Sequence, residues 1–386
     1  MAALSITEPR STWRLRDHIS QLEDVLHGGL EPTAFRDIFH IEFSTFDLLC
    51  KFLLEDRNRD YPYESRLHEY VKNRKKSSAE ESMVILCGVL YLVSDGSIRE
   101  SAMILGQAKS TFQRYARLTV SELVRKASEV IKLPKKEDQR FLLARSIHKP
   151  MPGAVFALDG TQITLQFKGR VNSFYSRHKK AEINCQVLCD WNMNLVYVMP
   201  NYSGRTHDND AWSQCSLAKE LKEHPGEYIA NGNYIVADEG YANQGIVIRP
   251  YSKKHMTREK YNYNIVHKGA RLIVENAIGC WKKRIPSLKT GIHATDPEEL
   301  VLNVNAAAVL HQFARFHEQT LHVDPVAVEY EHQTFHPVAV FANKTGTSLR
   351  STITTYVNDY YSEELSSWRR TIENHLFVYD IIITYL

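Results

Sequence analysis

A chain of 386 residues, 43% hydrophobic and 24% charged, has the make-up of an ordinary folded protein with room for two or three packed domains, which excludes a disordered or fibrous chain. Its 48 Lys and Arg against 45 Asp and Glu leave a formal charge of only +3, so any affinity for a polyanion has to come from local clustering. The six cysteines form no CxxC pair and no zinc-finger spacing, and read as buried reduced thiols of an intracellular protein.

The opening MAALSITEPRSTWR lacks the apolar run of a signal peptide, and no apolar stretch reaches membrane-spanning length, so a soluble protein with no membrane partner is expected. Residues 1–134 read as a helical domain, with Phe43, Phe46, Leu49 and Leu53 at three and four spacing. The basic cluster KNRKK at 72–76 interrupts it, either as a solvated loop or as a nuclear import signal or phosphate contact. Ser97-Ile-Arg-Glu100 and Ser110-Thr-Phe-Gln113 both fit the capping box, so two helices are predicted to start there, the first stopped by Gly106. The second turns Phe112, Tyr115 and Leu118 inward and exposes Gln113, Arg114 and Arg117. A short helix, a glycine turn and a basic second helix over about 97–124 is the layout of a helix-turn-helix, with Arg114 and Arg117 as DNA contacts; a plain helical hairpin has the same pattern.

Residues 135–152 are polar and bounded by prolines, and the periodicity after them changes from that of helix to that of strand, which marks a linker. Strands are predicted at 155–158, 161–167, 183–189, 195–199 and 234–237, a helical interval at 212–223, and helices at 268–284, ended by Pro286, and 297–319. Cys185 and Cys189, four apart in one strand, read as core positions. Strands in hairpins followed by a further strand and helices indicate an α/β layer with a mixed sheet flanked by helices, over 153–320. The tail 321–386 has no assignable structure.

Asp159 directly follows the apolar run Val155-Phe156-Ala157-Leu158, and Asp238 follows Tyr234-Ile235-Val236-Ala237 in the same way. A carboxylate at the end of a buried strand is costly to desolvate unless it is paired or binds a metal, and a turn or helix cap is the plainer reading of either one alone. Each has a glycine close behind, Gly160 and Gly240. In the helix at 268–284, Lys268, Arg271, Glu275 and Lys282 share one face, with Ile273, Val274, Ala277 and Trp281 on the other. One acid thus sits in a basic stripe, either as a salt-bridged solvent face or as a third metal ligand flanked by phosphate-tracking cations. Three carboxylates suit Mg2+ or Mn2+, and two such ions serve phosphodiester chemistry. The 17 histidines include no HExxH arrangement.

These segments resemble the PIF/Harbinger family of DDE transposases, including the Harbinger-derived nucleases of animals. The resemblance rests on FALDGT around Asp159, FYSRHKKAEINCQVLCD at 174–190, SGRTHDNDAW at 203–212, VADEGY around Asp238, and YNYNIVHKGARLIVENAIGCWKKR at 261–284. It spans about 155–316 and implies an RNase H-like core in which Asp159, Asp238 and Glu275 are the catalytic, metal-binding acids, with two Mg2+ or Mn2+ ions. His207 and Asp208 match the family's HD motif, whose implied role is to support the site rather than to ligate metal. Arg177, Lys179 and Lys180 join Lys268, Arg271 and Lys282 as candidate DNA contacts. VLHQF at 309–313 departs slightly from the usual Leu-His-Asn. The resemblance further implies a nuclear homo-oligomer that cuts transposon ends, transfers them to target DNA and works with a Myb/SANT-like partner. The competing reading is a domesticated DNA- or chromatin-binding protein that keeps the fold without transposing.

Overall fold

Apolar residues at helical spacing shape the N-terminal part of the computed structural model, which describes residues 32–55, 65–74, 78–136, 138, 151, 153–166, 181–322 and 341–360. The helices there are α1 (Pro32–Phe39), α2 (Phe43–Leu54), α3 (Arg66–Arg74), α4 (Ser78–Val93), α5 (Ile98–Ile104), α6 (Lys109–Arg125) and α7 (Ala127–Val130). They are followed by β1 (Ala154–Gln166), β2 (Glu182–Cys189), β3 (Leu195–Ser203), α8 (Asp208–Gln214), α9 (Ser216–Glu223), α10 (Pro225–Tyr228), β4 (Tyr234–Ala237) and β5 (Val247–Ile248). The chain continues through α11 (Arg258–Arg284), α12 (Ser287–Thr290), β6 (Ile292–His293), α13 (Pro297–His322) and α14 (Gly346–Tyr360). The described residues fall into two compact units that interleave in sequence. One comprises the described residues within 1–131, 163–171 and 281–326, the other those within 132–162, 172–280 and 327–386.

In the first unit, α4 is buried continuously from Met83 to Val93, as expected of a helix that is apolar all round. Gly88 lets α6 approach it closely, since a Cβ there would lie 2.3 Å from the Cβ of Thr119. The Thr119 hydroxyl donates to the Val84 carbonyl at 2.9 Å, which satisfies it in the core. The predicted capping box of α5 is present: Glu100 N donates to Ser97 Oγ and Ser97 N to Glu100 Oε2. Gly106, at φ 58, ends that turn. The second box does not form. Gly106 turns the chain so sharply that Lys109 is already helical, Ala108 takes the cap position without a side-chain hydrogen bond, and Ser110 lies inside the first turn.

Arg114 and Arg117 are exposed on α6 as expected, but both have protein partners. Arg117 Nε lies 2.9 Å from Glu299 Oε1, and Arg114 stacks over the rings of Tyr70 and Tyr115 at 5.4 and 5.5 Å. Deeper in the same helix, Glu122 (1% exposed) pairs with Arg125 (8%) at 2.5 Å and accepts from Ser65 Oγ at 2.6 Å. Removing one member of such a pair strands a buried charge. Arg125→Met is therefore expected to cost about 3–5 kcal/mol of stability by urea unfolding. A loss under about 1 kcal/mol would be that of a solvent-exposed pair and would show that water reaches Glu122.

The sheet is mixed. Among the described residues its order is β3-β2-β1-β4-β5, with β2 antiparallel to β3 and β4 parallel to both β1 and β5. α8 and α9 place Trp212, Leu217 and Leu221 in one apolar cluster with Phe156, Leu158 and Ile235, so the sheet is flanked by helices. This mixed α/β arrangement agrees with the fold class expected of a DDE nuclease. Within the first unit, Leu165 and Gln166 at the end of β1 pair with Ile292 and His293 of β6. In the tail that the sequence left unassigned, α14 begins at Gly346, whose N–H donates to the Gly245 carbonyl at 2.7 Å.

Several boundaries differ from the sequence expectation. The two strands predicted on either side of Asp159 are one strand, β1, because the chain stays extended after its parallel pairing with β4 ends at Leu158. α11 starts at Arg258 rather than at 268, because Tyr263, Val266 and His267 continue its buried face towards the N-terminus. Of the basic cluster at 72–76, residues 72–74 end helix α3 rather than forming a loop, and 75–76 lie outside the described residues. Five of the six cysteines are buried as expected, Cys185 and Cys189 among them, whereas Cys280 is exposed on α11. No helix among the described residues is long and apolar enough to cross a membrane.

Candidate active site

Strand register brings the two aspartates together. β1 and β4 run parallel with Leu158 opposite Ala237, so the next residue on each, Asp159 and Asp238, stands side by side at the end of the paired segment. Residues 155–158 and 234–237 are all buried, which anchors both positions in the sheet. The Gly160 N–H donates to Asp159 Oδ1 at 3.0 Å. On α11, Ile273, Val274, Ala277 and Trp281 are buried as the periodicity requires, and Arg271 and Glu275 project from the remaining face one turn apart.

Arg271 joins the three acids. Its Nη2 lies 2.5 Å from Glu275 Oε1, its Nη1 3.5 Å from Asp159 Oδ2, and its Nε 3.8 Å from Asp238 Oδ1. The first is a strong charge-assisted hydrogen bond, the second is marginal, and the third is an ion pair without a hydrogen bond. Asp159 is 18% exposed against 43% for Asp238 and 39% for Glu275, so burial weighs most on it. Burial pushes the Asp159 carboxyl up to about 7; Arg271 pulls it back, and the charges of Asp238 and Glu275 raise it further. Nearby, burial holds His267 down to about 4, so that ring is neutral and Arg271 is the cation this face supplies to the acids.

Among the described residues no group of three His, Cys, Asp or Glu side chains is arranged to hold a metal ion. The donor set nevertheless fits a hard divalent cation: three carboxylates already converge on one positive charge, and the most buried resists ionising while that charge is only a shared guanidinium.

Of the other expected site residues, Asp208 opens α8 and lies against this centre. Its Oδ1 accepts from Asn184 Nδ2 at 2.7 Å and from Gln186 Nε2 at 3.4 Å, and a Cβ on Gly160 would fall 2.1 Å from it. His207, at the cap position of α8, is exposed, and its side chain makes no cap hydrogen bond. Lys268 is exposed on α11, and Lys282 is partly exposed near the end of that helix. Arg177, Lys179 and Lys180 lie outside the described residues. The residues that the sequence reading missed are Asn184, Gln186 and Tyr241. The signal for Asn184 and Gln186 was present as polar residues alternating with apolar ones in β2, where a polar face survives burial only if its hydrogen bonds are met; Tyr241 carried no such signal.

Residues 158–312, which include all three acids, Asp208 and Arg271, match the family model described as a DDE superfamily endonuclease. The human protein HARBI1, named as a candidate nuclease, is 21% identical over 272 residues, covering 67% of this chain and 76% of its own. Its rat counterpart is 22% identical over 263 residues, covering 66% and 72%. No solved structure matches the chain. The resemblance to Harbinger-derived nucleases therefore stands, with residues 158–312 similar to the DDE superfamily endonucleases, which generally use divalent metal ions.

Proposed function

We propose that this protein is a divalent-metal-dependent DNA endonuclease and transposase of PIF/Harbinger type, cutting phosphodiester bonds at transposon ends and joining them to target DNA. The observation that carries this reading is the convergence of Asp159, Asp238 and Glu275 on one cationic group. In it, the three carboxylates hold two Mg2+ or Mn2+ ions. Such ions, when bound, activate the attacking oxygen and stabilise the leaving one. The sheet fixes Asp159 and Asp238 side by side, α11 brings Glu275 to them, and Arg271 neutralises the acids until a cation takes over that role and frees the guanidinium for a DNA phosphate. The RNase H-like topology, the nuclear location, a homo-oligomer and a Myb/SANT-like partner belong to this reading. The deciding experiment is Mn2+-dependent nicking of a labelled duplex carrying transposon ends, with an EDTA control; no nicking at any Mn2+ concentration would overturn the reading.

A second reading, a domesticated DNA- or chromatin-binding protein that keeps the fold without transposing, draws on the same centre, because Arg271 lies where the acids converge. Duplex binding without Mn2+ uptake would favour it.

Either reading uses the α5–α6 hairpin as a helix-turn-helix, with Arg114 and Arg117 on its exposed face. The double change Arg114→Ala, Arg117→Ala is expected to weaken DNA affinity and lower the slope of log K against log salt by about one unit per lost phosphate contact. Because Arg117 must leave Glu299 to reach DNA, Glu299→Gln should strengthen binding modestly. Salt titrations followed by fluorescence anisotropy read both; parent affinity and slope in the double variant would reduce the hairpin to packing.

A further inference from the structure

A connected polar cluster lies beside the acids, in a place where burial makes polar groups expensive. β2 is buried at every residue, yet Asn184 is 1% exposed and Gln186 0%. Asn184 Nδ2 donates to Asp208 Oδ1 at 2.7 Å and to the Thr206 carbonyl at 3.0 Å. Gln186 Nε2 donates to Asn184 Oδ1 at 2.7 Å, and its Oε1 accepts from the Tyr241 hydroxyl at 2.7 Å. Tyr241 is itself buried, three residues beyond Asp238. The start of α8 is tied to the same loop a second time, because Ala242 N donates to Asn209 Oδ1 at 2.9 Å.

The cluster meets the backbone at two glycines. Asp208 Oδ1 occupies the space of a side chain at Gly160, the residue after Asp159, and Asp208 Oδ2 lies 3.8 Å from the Cβ position of Gly240, two residues after Asp238. One carboxylate thus packs against the chain directly behind Asp159 and faces the chain two residues beyond Asp238. Its hydrogen bonds run through Asn184 and Gln186 to Tyr241, so all its members are satisfied together, and such a network is rigid.

We infer that Asp208 is a positioning residue that sets the separation of Asp159 and Asp238 for the incoming cation. This rests on the reading of those aspartates as the cation site. Asp208 acts through backbone: it holds β1 at Gly160 and, by way of Gln186 and Tyr241, the loop that follows Asp238. Replacing it with an amide removes the charge that strengthens the hydrogen bonds from Asn184 Nδ2 and Gln186 Nε2 and leaves a single acceptor oxygen, which loosens the network at its centre while keeping the side chain's shape.

The test is Mn2+ binding to the full chain by calorimetry, alongside metal-free DNA affinity, melting temperature and cleavage as a function of Mn2+. Asp208→Asn is expected to weaken Mn2+ binding about 10-fold, the lower end of what losing an outer partner of a metal site costs. The Mn2+ needed for half-maximal cleavage should rise by the same factor, with metal-free DNA affinity unchanged and the melting temperature lowered only slightly. Gly160→Ala, which forces Asp208 away from the opposite side of the contact, should show the same shift. If that variant does not fold, Tyr241→Phe, which releases Gln186, should show a smaller shift in the same direction. Parent Mn2+ affinity in Asp208→Asn overturns the inference, and so does a loss matched by falls in melting temperature and DNA affinity, which is plain structural damage. Asp159→Asn serves as the reference: if it binds Mn2+ and cleaves like the parent, the cation-site reading itself fails, whereas a defective Asp159→Asn beside a parent-like Asp208→Asn removes only the positioning role.

Discussion

Asp159→Asn, Asp238→Asn and Glu275→Gln should each lose Mn2+-dependent strand cleavage by more than about 100-fold, beyond the 10- to 100-fold that changing an outer partner of a metal site costs. Each substitution removes an anionic oxygen from the group of three that converges on Arg271. An amide of the same shape cannot replace that charge towards a divalent ion. Folding should survive in all three. Asp159, the most buried, already resists ionisation, with its carboxyl pushed up to about 7, so a neutral amide there relieves a desolvation cost. Asp238 and Glu275 are about two-fifths exposed and leave no buried charge behind. DNA affinity, which draws on basic residues elsewhere, should stay near that of the parent. A single-turnover cleavage assay with metal-free binding as control decides each residue separately: a variant that cuts at close to the parent rate removes that residue from the centre and leaves the other two standing.

The pair Asp159 and Asp238 was legible in the sequence because each caps a run of four buried apolar residues, and such runs in one domain tend to become neighbouring strands. What the runs did not reveal is that β1 continues beyond Asp159, since extended chain with alternating burial looks the same whether or not a strand has just ended. Glu275 and Arg271 were legible as one helix face, because 3.6-residue periodicity separates them from Val274 and Ala277. The direction in which Arg271 reaches is a tertiary fact. Its position on the stripe suggested a phosphate contact, and in the structure it lies against three carboxylates. The second capping box failed for a related reason: the motif at Ser110 is local, but the start of α6 is set by the turn at Gly106. Asn184 and Gln186 were the least legible, because polar side chains in a buried strand are meaningful only once their partners on α8 and beside Asp238 are in place.

Arg271→Ala is expected to separate cation binding from cleavage, moving them in opposite directions. With the guanidinium gone, three carboxylates are left without their shared counter-charge, so Mn2+ should bind more tightly than in the parent, chiefly through release of Glu275 from its 2.5 Å contact. Cleavage at saturating Mn2+ should nevertheless fall by about 10- to 100-fold, the range for losing a group that orients a metal site or its substrate. The guanidinium is the one group on this face able to grip a DNA phosphate through two hydrogen bonds within one turn of Glu275. Arg271→Lys should restore little, since an ammonium presents a single point charge where the acids and a phosphate call for a planar fork. Lys268→Ala and Lys282→Ala, seven residues either side of Glu275, should reduce cleavage less than Arg271→Ala and overall DNA binding only slightly. Calorimetric Mn2+ titration and single-turnover cleavage on the same folded variants read the two halves independently. Unchanged turnover in all three single alanine variants would remove the phosphate-guiding role of the stripe, and weaker Mn2+ binding in Arg271→Ala would mean that the guanidinium assembles the acids rather than competing for them.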